Sequence, residues 1–237
     1  MRLILIMVVA LLPLILSAAT LEAGLRTGLD YYLIEESYES GPNTRLNRIT
    51  SLHGFLGGHV LIRKKRAGLR LSVDGGGARY ALMARASTGS LNAYEEENLA
   101  FSYIEFNSDV LLFSEMNSVK IAPFLGYVYR RDWSELALCT HHLRIGVFAD
   151  FQLYDSFLLD VETGMMPILG GSMAEEKLTS QGTFFLSVKI IYKISDYIAI
   201  YTQYDFKKQN IRNTSEDTWK TRVEDNFLGF GLHFYLF

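Results

Sequence analysis

The feature that most constrains this chain is an alternation with a period of two residues that recurs along it. It is cleanest in "HLRIGVFADFQLY" (residues 142–154). There Leu143, Ile145, Val147, Ala149, Phe151 and Leu153 alternate with Arg144, Gly146, Phe148, Asp150 and Gln152. Successive side chains of a strand point to opposite faces, so one face is apolar and the other polar. A similar rhythm sets Leu25, Thr27, Leu29, Tyr31 and Leu33 against Arg26, Gly28, Asp30 and Tyr32. It sets Phe184, Leu186, Val188, Ile190 and Tyr192 against Ser187, Lys189 and Lys193. It sets Ile198, Ile200, Thr202, Tyr204 and Phe206 against Tyr201, Gln203 and Asp205. The chain ends the same way, with Leu228, Phe230, Leu232, Phe234 and Leu236 on one parity and Gly229, Gly231, His233, Tyr235 and Phe237 on the other.

Five less regular segments lie near residues 52–63, 69–82, 99–112, 119–130 and 158–169, giving ten predicted strands. In the third, "DGGGA" (74–78) is expected to hold a bulge that reverses parity before Tyr80. Pro123 and Pro167 fall inside the fifth and seventh segments, where each withholds a ladder donor and puts the register in question. The connections alternate in length. Residues 63–68, 114–118, 154–157 and 194–197 read as short turns. Residues 36–51, 83–98, 131–141, 170–181 and 207–225 read as long loops. An up-and-down meander gathers all the long loops at one end and all the turns at the other.

The N-terminus, "MRLILIMVVALLPLILSAAT", has a positive start, an apolar run and small residues at Ser17-Ala18-Ala19. This pattern predicts a secretory signal peptide over residues 1–19 and a single barrel domain over 20–237. No second long apolar run predicts a spanning helix. One cysteine, Cys139, excludes an internal disulfide framework, and a net charge of −3 offers no case for nucleic acid.

Alternation alone does not say which face is inside. The segments reach about 10–13 residues, enough for a tilted membrane strand. The polar face is dense in charge: Arg26, Asp30, Arg70, Asp74, Glu105, Lys120, Arg144, Asp150, Asp160, Glu162, Lys189 and Asp205 share it, with Arg63, Asp109, Arg130 and Lys193. The opposite face is almost free of charge. Aromatics gather at both ends. Phe113, Tyr154, Phe157, Tyr192, Tyr197, Tyr235 and Phe237 fall at the turn end; Tyr31, Tyr103, Tyr127, Tyr129, Tyr204 and Phe206 fall towards the loop end. The fold expected is therefore all-β: an antiparallel, up-and-down transmembrane barrel of ten strands, with apolar residues outside and an interior ion-pair network. A membrane-embedded sheet keeps no open edge, so the first and last strands must pair.

On these residues the chain resembles a small bacterial outer-membrane β-barrel protein over residues 20–237. Terminal Phe237 with Tyr235 resembles the C-terminal signal by which the barrel-assembly machinery recognises that class. The resemblance implies export to a Gram-negative outer membrane, contact with outer-membrane lipid and lipopolysaccharide, and both termini on the periplasmic side.

Candidate chemistry is sparse. "CTHH" places Cys139, His141 and His142 together, too few ligands for a metal site and with the two histidines on opposite faces. Omptins, the ten-stranded outer-membrane proteases, use aspartates and a histidine near the outer rim. Asp30, His142 and Asp205 are the catalytic candidates here, although the paired Asp-x-Asp and Asp-x-His elements of that family are absent. Ser102 and Ser187, weighed against the lipid A-modifying barrels, sit in no recognisable motif. No cofactor or metal is expected. Trp133 and Trp219 are loop aromatics of the kind that anchor partners. The sequence reading favours a non-enzymatic outer-membrane barrel with a surface-interaction or envelope-structural role. A narrow pore and an outer-membrane hydrolase are the alternatives.

Overall fold

The computed structural model describes residues 20–40, 43–78, 82–87, 101–116, 118–133, 137–173, 176–213 and 219–236. The predicted leader and Phe237 lie outside them. Ten strands form the wall: β1 (Thr20–Ser40), β2 (Asn43–Lys64), β3 (Ala67–Ala78), β4 (Phe101–Leu112), β5 (Val119–Trp133), β6 (Cys139–Tyr154), β7 (Phe157–Met165), β8 (Glu176–Lys193), β9 (Ile198–Asn213) and β10 (Trp219–Tyr235). Three short segments prolong them. Leu82–Ser87 carries β3 along β2, Ser114–Met116 carries β4 along β5, and Ile168–Met173 carries β7 between β6 and β8.

Every strand pairs antiparallel with its neighbours in the chain. The ring closes where β10 pairs β1 without a register shift, from Tyr38↔Trp219 down to Glu22↔Tyr235. Closure satisfies the backbone groups that an open edge would leave bare in hydrocarbon. Tight turns join the strands at one end. Lys64 pairs with Ala67, and Lys65 takes the left-handed φ of 55° that this two-residue link requires. Tyr154 pairs with Phe157 across another. At the fourth turn, the backbone N–H groups of Tyr197 and Ile198 donate to Ser195 Oγ at 3.3 and 3.2 Å.

The apolar parity faces outward. Leu25, Leu29, Leu56, Leu125, Ile145, Leu228 and Phe230 are all exposed, at 47–68% of their possible area. An apolar belt of this extent on a closed cylinder is a lipid-facing surface. Outward aromatics border it, with Tyr154, Phe157, Tyr192 and Tyr197 at the turn end and Tyr31, Phe106 and Tyr204 towards the other. Three residues assigned to these belts from sequence point inward instead. Phe113 and Tyr103 are buried, and Tyr235 packs beside His233 with ring centroids 4.6 Å apart. The pleat decides this, because a residue near a strand end still takes its side from its parity.

The structure changes the reading of the long connections. Pairing in the first hairpin runs on to Ser40↔Asn43, so most of residues 36–51 is strand. The spans 131–141, 170–181 and 207–225 are also largely strand. Of 83–98, residues 83–87 are strand and the rest lie outside the described residues.

The reason is a reversal of polarity along the wall. On β1, Leu25 faces out and Arg26 in, but further up Ile34 faces in, 3% exposed, and Glu35 faces out. On β10, Leu228 faces out, but further up Val223 is buried inside while Arg222 and Glu224 lie outside. Tyr32, Ile34, Tyr103, Leu138, Leu178, Ile211 and Val223 form an apolar core across the loop-end mouth. The wall is therefore a membrane barrel continued by a stretch built like a water-soluble one.

Register departs from expectation at two places. Asp74 and glycines 75–77 pair regularly with both β2 and β4. A one-residue gain follows them: Gly77 pairs with Gly54, but Leu82 pairs with Thr50. Pro123 faces outward within an unbroken register, paired with Val147. Pro167 marks a true interruption. β7 stops at Met165, resumes at Ile168 and shifts register by Gly170. The Pro167 carbonyl is still satisfied, accepting from the Leu143 N–H at 3.0 Å.

Candidate functional site: the charged interior

The inward residues form tiers of ion pairs. Nearest the turns, Lys189 Nζ lies 2.9 Å from Asp160, Lys120 Nζ 3.5 Å from Asp150, and His233 Nε2 3.2 Å from Glu22. Above them is a closed ring of four charges from four strands. Arg70 reaches Asp109 at 2.7 Å and Glu162 at 2.5 Å; Arg144 reaches Asp109 at 2.6 Å and also bonds Glu162. Phe124 lies under both guanidinium groups, 5.5 and 5.1 Å from ring centroid to Cζ, and Phe185 lies under Arg144 at 4.6 Å. Delocalised guanidinium suits this role, since it gives two carboxylates directional bonds and stacks on a ring at once.

Glycines make room for these carboxylates. Gly126 pairs directly with Asp109, and Gly57 with Asp74. A Cβ at either glycine would overlap the aspartate Oδ1 that lies across it.

The third tier is Arg26. It binds Asp74, with Nε donating to Oδ1 at 2.8 Å, and reaches Asp205 at 3.3 Å. Gln203 Nε2 donates to Asp205 at 2.8 Å. The last tier surrounds Arg130, which is 4% exposed. Arg130 Nε donates to Asp132 Oδ1 at 2.8 Å and Nη1 to Asp225 Oδ2 at 2.5 Å. Its guanidinium lies over Tyr32 and Tyr103, 4.9 and 4.5 Å from their centroids. Tyr32 Oη donates to Asp132 at 3.0 Å, and Lys207 Nζ donates to Glu105 at 2.5 Å. The apolar core lies above this tier.

Small spaces lie between the tiers among the described residues. Two of about 110 Å³ and one of about 30 Å³ are lined by these same charged residues. A wider concavity, about 640 Å³, lies outside on the lipid-facing wall among Leu25, Leu56, Ile190, Phe230 and Leu232.

The structure places the twelve residues read from sequence as one network in separate tiers. Arg26, Asp74 and Asp205 share one; Arg70, Arg144 and Glu162 share another; Lys120 with Asp150 and Lys189 with Asp160 stand nearer the turns. Asp30 faces His53, its direct partner in register, at 3.3 Å, and Glu105 belongs to the Arg130 tier.

Sequence reasoning missed His53, Asp132, Lys207 and Asp225, and placed Tyr32 on the inner parity without its Asp132 partner. Three of these fell in spans taken for loops, and only recognition of strand beyond residues 206 and 130 would have exposed them.

The three catalytic candidates are not assembled. Asp30 and Asp205 both pair across Phe227, and Asp205 is held by Arg26. His142 is on β6, buried, with Nδ1 3.2 Å from the Met166 carbonyl oxygen. Four strands lie between it and Asp30 in either direction around the ten-strand ring. Cys139 and His141 face outward, and Tyr127 Oη bonds His141 Nδ1. Among the described residues, no group of three or more His, Cys, Asp or Glu side chains could hold a metal ion. Ser187 Oγ accepts from Gln203 at 3.3 Å, and Ser102 is exposed. Trp133 is exposed with Arg131 above its ring; the side chain of Trp219 is outside the described residues.

The fold defines the class: the chain is a closed, ten-stranded barrel of the outer-membrane type. Among solved structures, the outer membrane protease OmpT from Escherichia coli matches with a TM-score of 0.71 and 8% identity, over 92% of this chain and 97% of that one. The β domain of the Bordetella autotransporter BrkA matches with a TM-score of 0.44 and 9% identity, over 89% and 99%. The OmpT likeness is one of fold alone at that identity. No family model and no curated protein matches the chain.

Proposed function

We propose that the protein is an integral outer-membrane barrel with a closed interior, whose loop end stands outside the cell as a surface for interaction or envelope support. The observation that carries this reading is the double closure of the lumen. Tiers of ion pairs fill the membrane section, and an apolar core seals the mouth above them. Ten strands enclose little more than the eight whose side chains just fill a barrel, and aqueous porins need 16–18. The exported, outer-membrane location is supported by the apolar belt, the leader pattern and the barrel class. Tyr235 and Phe237 serve as the assembly signal.

Refolded protein in a planar bilayer tests it. Current at the unmodified-bilayer baseline is expected. Reproducible single-channel steps would favour the narrow-pore reading instead. Hydrolysis of a peptide or lipid A substrate, lost in Asp30→Asn or Asp205→Asn, would favour the hydrolase.

A further inference from the structure

The reversal of polarity fixes a level on the outer wall, and on four adjacent strands that level carries a ladder of charge. Arg48, Glu35 and Arg222 are direct cross-strand partners on β2, β1 and β10. Glu224 and Lys208 are direct partners on β10 and β9. Arg48 and Arg222 each lie 3.6 Å from Glu35, Lys208 lies 3.7 Å from Glu224, and Arg222 also bonds Glu224. Tyr31 and Tyr204 stand exposed just on the membrane side, and Tyr204 Oη donates to Asn226 Oδ1 at 3.0 Å.

Two features give the ladder a sign. Three cations face two carboxylates. The cations also project while the carboxylates are recessed: Arg48, Arg222 and Lys208 keep 48, 43 and 38% of their side-chain area, against 26% for Glu35 and 14% for Glu224. A ligand meeting this wall from the side meets positive charge. The long pair distances leave much of the donor capacity of Arg48 and Lys208 unused.

We propose that Arg48, Arg222 and Lys208 form a binding site for the phosphate groups of an outer-leaflet glycolipid, whose acyl chains lie along the apolar wall below. This inference rests on the membrane reading above. Guanidinium groups give phosphate oxygens paired, charge-assisted bonds, and the flanking tyrosines suit the headgroup level.

The test is native mass spectrometry of the full, refolded barrel in detergent. Its probes are a diphosphorylated glucosamine-disaccharide lipid and the same lipid with its phosphates removed. The wild type should bind the phosphorylated lipid roughly tenfold more tightly, as expected of a few partly exposed charge-assisted bonds. The triple variant Arg48→Gln, Arg222→Gln, Lys208→Gln should lose that preference, and Lys208→Gln alone should reduce it. Glu224→Gln, which uncovers charge without removing a donor, should increase it. Equal affinity for the two lipids, or a preference unchanged in both the triple variant and Lys208→Gln, overturns the site. Flotation with vesicles and heat-dependent gel mobility are read on the same samples. Failure to insert counts against the membrane reading, whereas insertion without phosphate preference counts against the site alone.

Discussion

Individual side chains of the interior are constrained by charge and by shape together. Each arginine of the Arg70–Asp109–Arg144–Glu162 ring bridges both carboxylates. Removing one leaves each acid a single partner; removing both leaves two bare buried charges. Arg144→Met should cost about 3 kcal/mol, the lower end for a broken buried pair because Arg70 remains. The double variant Arg70→Met, Arg144→Met should exceed the sum of the singles by about 1–3 kcal/mol. Urea unfolding in vesicles checks both, and simple additivity would mean that the ring is not one unit. Space is the other constraint. Gly126→Ala puts a methyl where Asp109 lies and should cost about 1–3 kcal/mol. Gly170→Ala, with nothing within 4 Å of its Cβ, should be close to neutral in the same assay.

At the scale of strands, the account predicts how cost varies with depth. Phe230→Arg and Leu228→Arg on β10 should each cost about 2–4 kcal/mol, falling to about 0–1 for Asn226→Arg where the wall meets the headgroups. A flat profile along the three positions, measured by the same unfolding, would dismiss the level assigned to the charge ladder. The membrane portion of each strand was legible in sequence, because lipid and lumen impose opposite demands on successive residues and hold them over many positions. Even β10, with its unusual glycine-and-histidine parity, pairs without a shift, with Leu228, Phe230 and Leu232 outside. The extensions were not legible. Beyond Tyr31 and Phe206 the alternation continues with its sense reversed, so Ile34, Ile211 and Val223 read as scattered apolars in polar loops. The ion-pair partners were also beyond reach. Period 2 assigns a charge to the lumen, but barrel stagger decides that Arg70 meets Glu162, and hairpin register that Asp30 meets His53.

For the molecule as a whole, one assignment supports the rest: apolar residues touch lipid along the membrane section, charge fills the interior, and the two exchange places at the Arg48–Glu35–Arg222 row. The closed lumen, the phosphate ladder and the cost profile all depend on it. The most direct measurement is spin-label accessibility along β10, in vesicles, with Cys139 replaced by serine. Labels at positions 228, 230 and 232 should be relaxed by oxygen dissolved in the bilayer. Labels at 227 and 233 should be shielded from it, and labels at 222 and 224 should respond to a water-soluble nickel chelate. Oxygen contact at 227 and 233, with water at 228 and 230, would turn the barrel inside out and contradict the account.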